Sequence, residues 1–346
     1  MPLKVYNIND AEQWDNIVYS FKNFDVYYLS GYVKAFQFHG DGEPYLLYYE
    51  SDCCRGMNVV MKRDISLVPE FIGKIDCKMF YDIVTPYGYG GWIIEGRETG
   101  RLFHEYEKWC QNNNIVSEFV RYHPVLNNYL DSQTFYDVIP LGKTITMDLS
   151  SKEMIWANLT SKNRNMIRKA KNAGIRIYHG NFPEVYAQFR EIYNATMDKD
   201  HAEKYYYFEK AFYSSILNDL FFNSQIFYAE LDRKIVAASI ILTANGKMNY
   251  HLSGSVKDYQ HLAPTNLLLY ETARWGNENG YKTFHLGGGV GSHEDSLFRF
   301  KKSFYRKEPS VYYIGKKIYL HEMYQDLIQL RDEIDENSTY FPKYRS

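Results

Sequence analysis

No hydrophobic run in this 346-residue chain is long enough to cross a bilayer. The longest, residues 235–242, falls far short of the roughly 20 residues a spanning helix needs. The amino terminus, MPLKVYNINDAEQWDNIV, carries no basic stretch followed by an apolar core, so no secretory leader is expected. The chain therefore reads as soluble and cytoplasmic, without stable membrane insertion. Cysteine is scarce, and Cys53, Cys54, Cys77 and Cys110 fall at no metal-ligand spacing. Two adjacent cysteines serve one disulfide framework poorly, so reduced thiols are expected. Neither sign of charge dominates: the net charge is −2, and no global field draws the protein to nucleic acid or membrane. A polyanion would have to be held by a local patch. Nucleophile elbow, P-loop and GxGxxG motifs are missing; the run Gly287-Gly288-Gly289-Val290-Gly291 follows a strand but opens no long helix.

What is present is an ordinary globular composition, 45% hydrophobic and 24% charged, with an excess of aromatics at 17% that includes 34 tyrosines. Most of those tyrosines are expected in packing and amphipathic surface. The length favours two cores over one. Strand-like runs at 43–49, 56–62 and 79–84 lead to a loop at 85–91, TPYGYGG, and to a helix over 98–113 with Leu102, Phe103, Tyr106 and Trp109 at helical spacing. A strand at 115–121 follows.

The second half opens on an alternating strand at 144–149. Ser150 and Glu153 then form an S-x-x-E capping box that predicts one long helix from 152 to 173, stopped by Gly174. Helices over 183–200 and 207–220 come next, then strands at 225–231, 234–243, 247–253 and 282–286. The last two flank a helix that starts at Pro264 and ends before Gly280. A C-terminal helix over 320–335 has an apolar stripe of Leu320, Met323, Leu327, Leu330 and Ile334.

Two basic clusters could carry chemistry. Residues 162–176 hold six cations and no acid, and Arg164 and Arg168, four apart, share a helix face that could grip a phosphate-rich ligand; the plain alternative is a solvated basic face. In the segment LFRFKKSF, Leu297, Phe300 and Phe304 are expected inward and Lys301 toward the loop 287–289. There, glycines let a ligand approach the backbone, and a fixed lysine stabilises a developing oxyanion. The competing role for Lys301 is a cap on the sheet edge. His251 and His285 lie on strands, where core packing is the default, and Asp258, Glu294 and Asp295 read as solvated loop carboxylates.

The order strand, turn, helix, strand, glycine-rich loop and short basic–aromatic helix over 249–304 resembles an acyltransferase of the GNAT type. One feature is absent: the loop 258–264, DYQHLAP, lacks the closely spaced glycines that would wrap a coenzyme A pyrophosphate in backbone N–H groups. An acyl donor other than coenzyme A is expected. With the helix bearing Trp156, Leu159 and KNRNMIRKA (162–170), the strand YHLSGS (250–255), and Leu286-Gly287-Gly288 followed by FRFKKSF (298–304), the chain is similar to the FemABX family of peptidyl transferases, in its short FemX-like form. The resemblance implies a mixed α/β fold of two tandem GNAT-like domains, residues 1–145 and 146–315, with a C-terminal helix in 316–346 returning to the first. It implies transfer of an amino acid from aminoacyl-tRNA, as co-substrate with no cofactor and no metal, to an amine of a UDP- or lipid-linked muramyl peptide, the peptidoglycan precursor. By the same resemblance Phe300 and Lys301 match the family's Phe-Lys pair near the transferred carbonyl. Lys34 matches a lysine that holds precursor phosphate, and Tyr205, Tyr207 and Tyr250 fall at substrate positions. The family's substrate arginine near 199–207 has no counterpart, since only Lys199 and Lys204 are cationic there.

The reading is therefore a tRNA-dependent aminoacyltransferase in which Lys301 and Phe300 are catalytic. Lys34, Tyr87, Tyr205, Tyr207, Tyr250, His251, Arg164, Arg168 and Lys302 bind substrate. The runner-up is a GNAT-fold N-acyltransferase that moves an acyl group from coenzyme A to an amino sugar, and the loop 258–264 discriminates the two. A third class, a silent carbohydrate- or peptide-binding module, predicts ligand binding that survives loss of Lys301.

Overall fold

The computed structural model describes residues 3–331 and 338–346. The chain divides into two units, Met1–Leu141 with Tyr312–Ser346, and Gly142–Val311.

In the first unit apolar residues recur on the inner positions of β1 (Leu3–Asn7), β2 (Glu43–Glu50), β3 (Cys54–Asp64), β4 (Tyr81–Val84), β5 (Ile93–Gly96) and β6 (Ile115–Arg121). The sheet runs β1-β2-β3-β4-β6, all antiparallel except β4 and β6, with β5 beside β3. Helices α1 (Ala11–Ser20), α2 (Ser30–His39) and α3 (Gly100–Asn112) belong to this unit. The core joins Leu47, Val60, Ile83, Trp92, Leu102, Phe103 and Ile115. Inside it sits a carboxyl group that periodicity does not announce. Glu118, 1% exposed, accepts hydrogen bonds on Oε2 from the hydroxyls of Tyr106 (3.0 Å), Tyr136 (2.9 Å) and Tyr319 (2.5 Å).

Burial pushes the Glu118 carboxyl up to about 7 against the four hydrogen bonds that act to lower it. The folded state thus keeps its proton between the ordinary glutamate value and about 7, while the unfolded chain releases it, and stability falls as pH rises through that window. The expected fall is on the order of 3 kcal/mol. Urea denaturation from mildly acidic to neutral pH checks this: Glu118→Gln, which has no proton to lose, should remove the slope.

The second unit carries β7 (Asp137–Asp148, from Gly142 onward), α4 (Lys152–Asn158), α5 (Ser161–Asn172), β8 (Arg176–Gly180), α6 (Pro183–Lys199), α7 (Lys210–Asp219), β9 (Ser224–Leu231), β10 (Lys234–Ala244), β11 (Lys247–Ser255), α8 (Pro264–Glu278), β12 (Thr283–Gly287) and α9 (Ser296–Lys302). Its sheet runs β7-β12-β11-β10-β9-β8, with β11 and β12 parallel. Asn245 and Gly246, both left-handed, make the tight hairpin between β10 and β11. Ile155, Leu159, Ile167, Leu268, Phe284, Phe298 and Phe304 form the core. The chain then returns to the first unit, where β13 (Ser310–Ile318) pairs with β6 through Ile314–Ile318 and α10 (His321–Gln329) packs Tyr324 and Leu327 inward.

Several expectations need correction. The predicted helix over 152–173 is two helices, broken at Leu159-Thr160. Thr160 caps α5 through Asn163 N, and its own N–H is taken by the Ser303 carbonyl, so tertiary contacts hold the break open. The cap of α4 is Ser151, bonded to Met154 N, not Ser150. Helix α7 begins at Lys210 rather than 207, after a short 3-10 turn at Lys204–Tyr206. The C-terminal helix ends at Gln329; Ile334 and the rest of 332–337 lie outside the described residues. Leu297 points outward, 37% exposed, and Phe298 takes the inward place.

Candidate active site

Parallel pairing of β11 with β12 stops at Asn249 opposite His285. Beyond it the strands part: β11 stays with β10, and β12 stays with β7. Both bulge at the fork, β11 with His251 as the extra residue and β12 with Leu286. Gly254 lies just past the fork on β11. A Cβ there would come within 2.9 Å of the Ile192 carbonyl and Tyr193 backbone, so only glycine lets α6 cross so closely. Beside the end of β11 a hollow of about 390 Å³ is lined by Glu191, Ile192, Lys199, Ser255, Lys257 and Asp258.

Lys301 reaches the same region from α9. It is only 8% exposed, its Nζ donates to the Gly288 carbonyl at 2.6 Å, and Nζ lies 5.9 Å from the Tyr250 ring centroid. Burial lowers its ammonium to about 8, with Asp295 acting to raise it. It is thus cationic at neutral pH, and two of its three N–H donors are left after Gly288 has taken one. The Tyr250 hydroxyl is raised by burial and hydrogen-bonds to Ser253 and Ser239, which are joined at 2.8 Å. Burial pushes the His251 imidazole down to about 3, so it stays neutral. His285 is buried, with Nδ1 2.9 Å from the Thr146 hydroxyl, a packed core histidine. Phe300 is half-buried against Phe304, edge to face.

The other predicted residues are dispersed. Arg164 is spent on the carbonyls at the helix break, donating to Leu159 (3.1 Å) and Trp156 (3.4 Å), while Arg168 lies over the Trp156 ring. The two frame one tryptophan rather than an open phosphate cradle. Lys302 donates to the carbonyls of Arg306 and Lys307. Tyr205 is exposed, and Tyr207 donates to Asp198 at 2.8 Å. In the first unit Lys34 sits half-buried on α2, and Tyr87 stacks on Phe36 of the same helix while its carbonyl accepts from the Tyr32 hydroxyl at 2.5 Å.

The loop 258–264 lies within a 3-10 turn, Lys257–Leu262, followed by left-handed Ala263. Its Tyr259 and Ala263 N–H groups bond back to Val256 and Gln260. Among the described residues no cluster of three His, Cys, Asp or Glu could hold a metal, and no helix is long and apolar enough to cross a membrane.

Residues 160–302, from the cap of α5 to the end of α9, match an acetyltransferase (GNAT) domain family. Over 215 residues the chain is 27% identical to a UDP-N-acetylmuramoylpentapeptide-lysine N(6)-alanyltransferase of Weissella viridescens, a stretch covering 60% of this chain. The chain spans 57% of that relative's length. Among solved structures, FemX superposes with a TM-score of 0.66 at 12% identity, covering 94% of this chain and 99% of its own. A conserved protein from Bacteroides thetaiotaomicron gives 0.58 at 11%, covering 92% and 100%.

Proposed function

We propose that the chain is a member of the FemABX family of GNAT-fold acyltransferases and that it moves an amino acid from aminoacyl-tRNA to an amine of a UDP-linked muramyl pentapeptide. The observation that carries the reading is Lys301, a buried ammonium held at the Gly288 carbonyl beside the fork of β11 and β12. The neutral amine of the acceptor attacks the ester carbonyl carbon. As the C–N bond forms, charge gathers on the carbonyl oxygen, where a Lys301 N–H can meet it. Collapse breaks the C–O bond to the terminal ribose, and the proton shed by the amine passes to that departing oxygen. The ester is already activated, so positioning and oxyanion stabilisation supply most of the acceleration. His251, neutral and held down at about 3, is no strong base, which suits a nucleophile that arrives deprotonated. The turn at 258–263, whose N–H groups are partly bonded within it, favours a donor other than coenzyme A. Tyr205 and Tyr207, in the unit that carries Lys301, are the proposed contacts for the precursor.

Mass spectrometry of the UDP-linked muramyl pentapeptide, incubated with mixed charged tRNA or with acetyl-CoA, tests this. A gain of one amino acid residue with charged tRNA alone supports the reading and names the amino acid. An acetyl-sized gain overturns it in favour of the coenzyme A alternative.

With a net charge of −2 and most of the α5 and α9 cations engaged within the fold, the tRNA footprint is small. Three or four phosphate contacts predict that kcat/KM for charged tRNA falls about tenfold or more between about 50 and 200 mM salt. A flat salt profile would rule out phosphate contacts as the source of tRNA affinity.

A further inference from the structure

We infer that Asp295 is the positioning residue of this site: it ties the glycine loop to the lysine-bearing helix and so fixes Lys301 Nζ at the Gly288 carbonyl. The inference rests on the role proposed above for Lys301. One carboxylate serves two segments. Oδ1 accepts from Phe298 N at 2.8 Å, capping α9, and Oδ2 accepts from Val290 N at 3.2 Å, closing the loop that begins at Gly287. The loop is moulded around it. A Cβ on Gly289 would lie 2.4 Å from Asp295 Oδ1 and 2.1 Å from the His293 carbonyl, so no other residue fits while the carboxylate holds its place. Six residues beyond the Asp295 cap, Lys301 returns to the same loop at Gly288. Loop, cap and lysine thus form a closed circuit, in which one Asp295 carboxylate bonds to the loop backbone at Val290 and to the helix start at Phe298.

The titratable side chains on the surrounding elements are Tyr250 and His251 on β11, His285 on β12, His293 and Glu294 in the loop, and Asp295. Glu294 is engaged with Lys143 at 2.7 Å. Tyr250 is raised and His251 lowered, so neither carries charge near neutrality. Asp295 is the charge that acts on the lysine. Its own carboxyl stays below the ordinary aspartate value: burial acts to raise it, and the N–H groups of Phe298, Val290 and Leu297 together with Lys301 outweigh that. Removing the carboxylate charge therefore moves Lys301 deprotonation to lower pH.

The test compares wild type with Asp295→Asn and Asp295→Ser. Serine keeps an N-cap oxygen for Phe298 but cannot also reach Val290 and carries no charge. Four quantities are read across the neutral to alkaline range: kcat, KM, Tm, and the pH midpoint of trace acetic anhydride labelling of Lys301 by mass spectrometry. The expected result is a kcat loss on the order of 10²-fold with little change in KM, because the misplaced group acts on the reacting carbonyl. The alkaline limb of kcat and the labelling midpoint should move together to lower pH by at least about half a unit. A midpoint and limb at wild-type pH in both variants would overturn the inference, as would full recovery of rate by Asp295→Ser. The labelling needs no turnover. A shifted midpoint in a protein that transfers no amino acid to any acceptor supports the positioning role and counts against the proposed reaction alone. If Asp295→Asn fails to fold, Asp295→Ser, with its cap intact, carries the same comparison.

Discussion

Lys301→Met is expected to lower kcat about 10²–10³-fold, the loss seen when one oxyanion donor is removed, with no loss of stability. The second half of that expectation makes the first diagnostic. Burial holds the Lys301 ammonium down at about 8, below the ordinary lysine value. A lysine depressed in the folded state costs stability wherever it is charged, and that cost fades as pH rises from about 8 toward the unfolded value. At neutral pH the wild type therefore bears the penalty, while methionine, of similar length and apolar, does not. Tm at neutral pH should be equal or higher in the variant. A residue that weakens the fold and yet is needed for rate is placed for chemistry, not for packing. The wild-type kcat profile should fall above about pH 8 as the ammonium is lost, and should rise on the acid side as the acceptor amine deprotonates. If Lys301→Met turns over at the wild-type rate, the oxyanion role is wrong, and Lys301 is a cap on the glycine loop.

Much of this was legible in the sequence because local signals and tertiary packing agree. The strand at 115–121 and the helix from Pro264 were readable from period and punctuation, and each lies at or within a residue or two of its predicted limits. Lys301 does lie beside the glycine loop as expected, although the helix face was misjudged at Leu297, which points outward where Phe298 points in. The failures share a cause, which is that a distant segment decides. The break at Leu159-Thr160 exists because Ser303 and Arg306 supply backbone partners across more than 140 residues, through Thr160 N to Ser303 O and Arg306 N to Asn158 O. No window of local sequence contains that information. Arg164 and Arg168 do share a face, but Arg164 bonds to the carbonyls of the break, and Arg168 bonds to Asn165 and lies over the Trp156 ring. Glu118 sits mid-strand in IVSEFVR, where alternation gives no sign that three tyrosines 12, 18 and 201 residues away converge on it. Asp295 was readable and was missed. An aspartate directly before a short amphipathic helix is a cap signal, and capping separates it from a solvated loop carboxylate.

Asp82→Ala is expected to destabilise the first unit by about 3 kcal/mol, the low end of the cost of breaking a buried ion pair, because the two cations it strands are partly exposed. Asp82 is 1% exposed on β4 and faces Arg63 across the β3–β4 register. One oxygen accepts from Arg63 Nε at 2.7 Å, and the other from Arg345 Nε at 2.5 Å and the Tyr344 hydroxyl at 3.1 Å. Tyr344, fully buried, also meets the Ser117 hydroxyl at 2.8 Å, so the same carboxylate anchors the C-terminal segment. Burial acts to raise the Asp82 carboxyl, and the two guanidiniums overcome it, leaving it below the ordinary value. With the folded value depressed, its contribution is present above the unfolded carboxylate range and is lost as pH falls through the folded value. The difference between wild type and Asp82→Ala in urea midpoint should therefore be full at neutral pH and shrink in strong acid. Arg345→Ala should cost less, about 1.5–3 kcal/mol, because Arg63 still neutralises the carboxylate. A difference that stays constant into strong acid would mean that packing around Tyr344, not the charge cluster, holds this segment. Lys301 and Asp82 lie in different units, so the two substitutions should separate cleanly: one removes rate and leaves the fold, and the other loosens the fold without touching the group that meets the carbonyl.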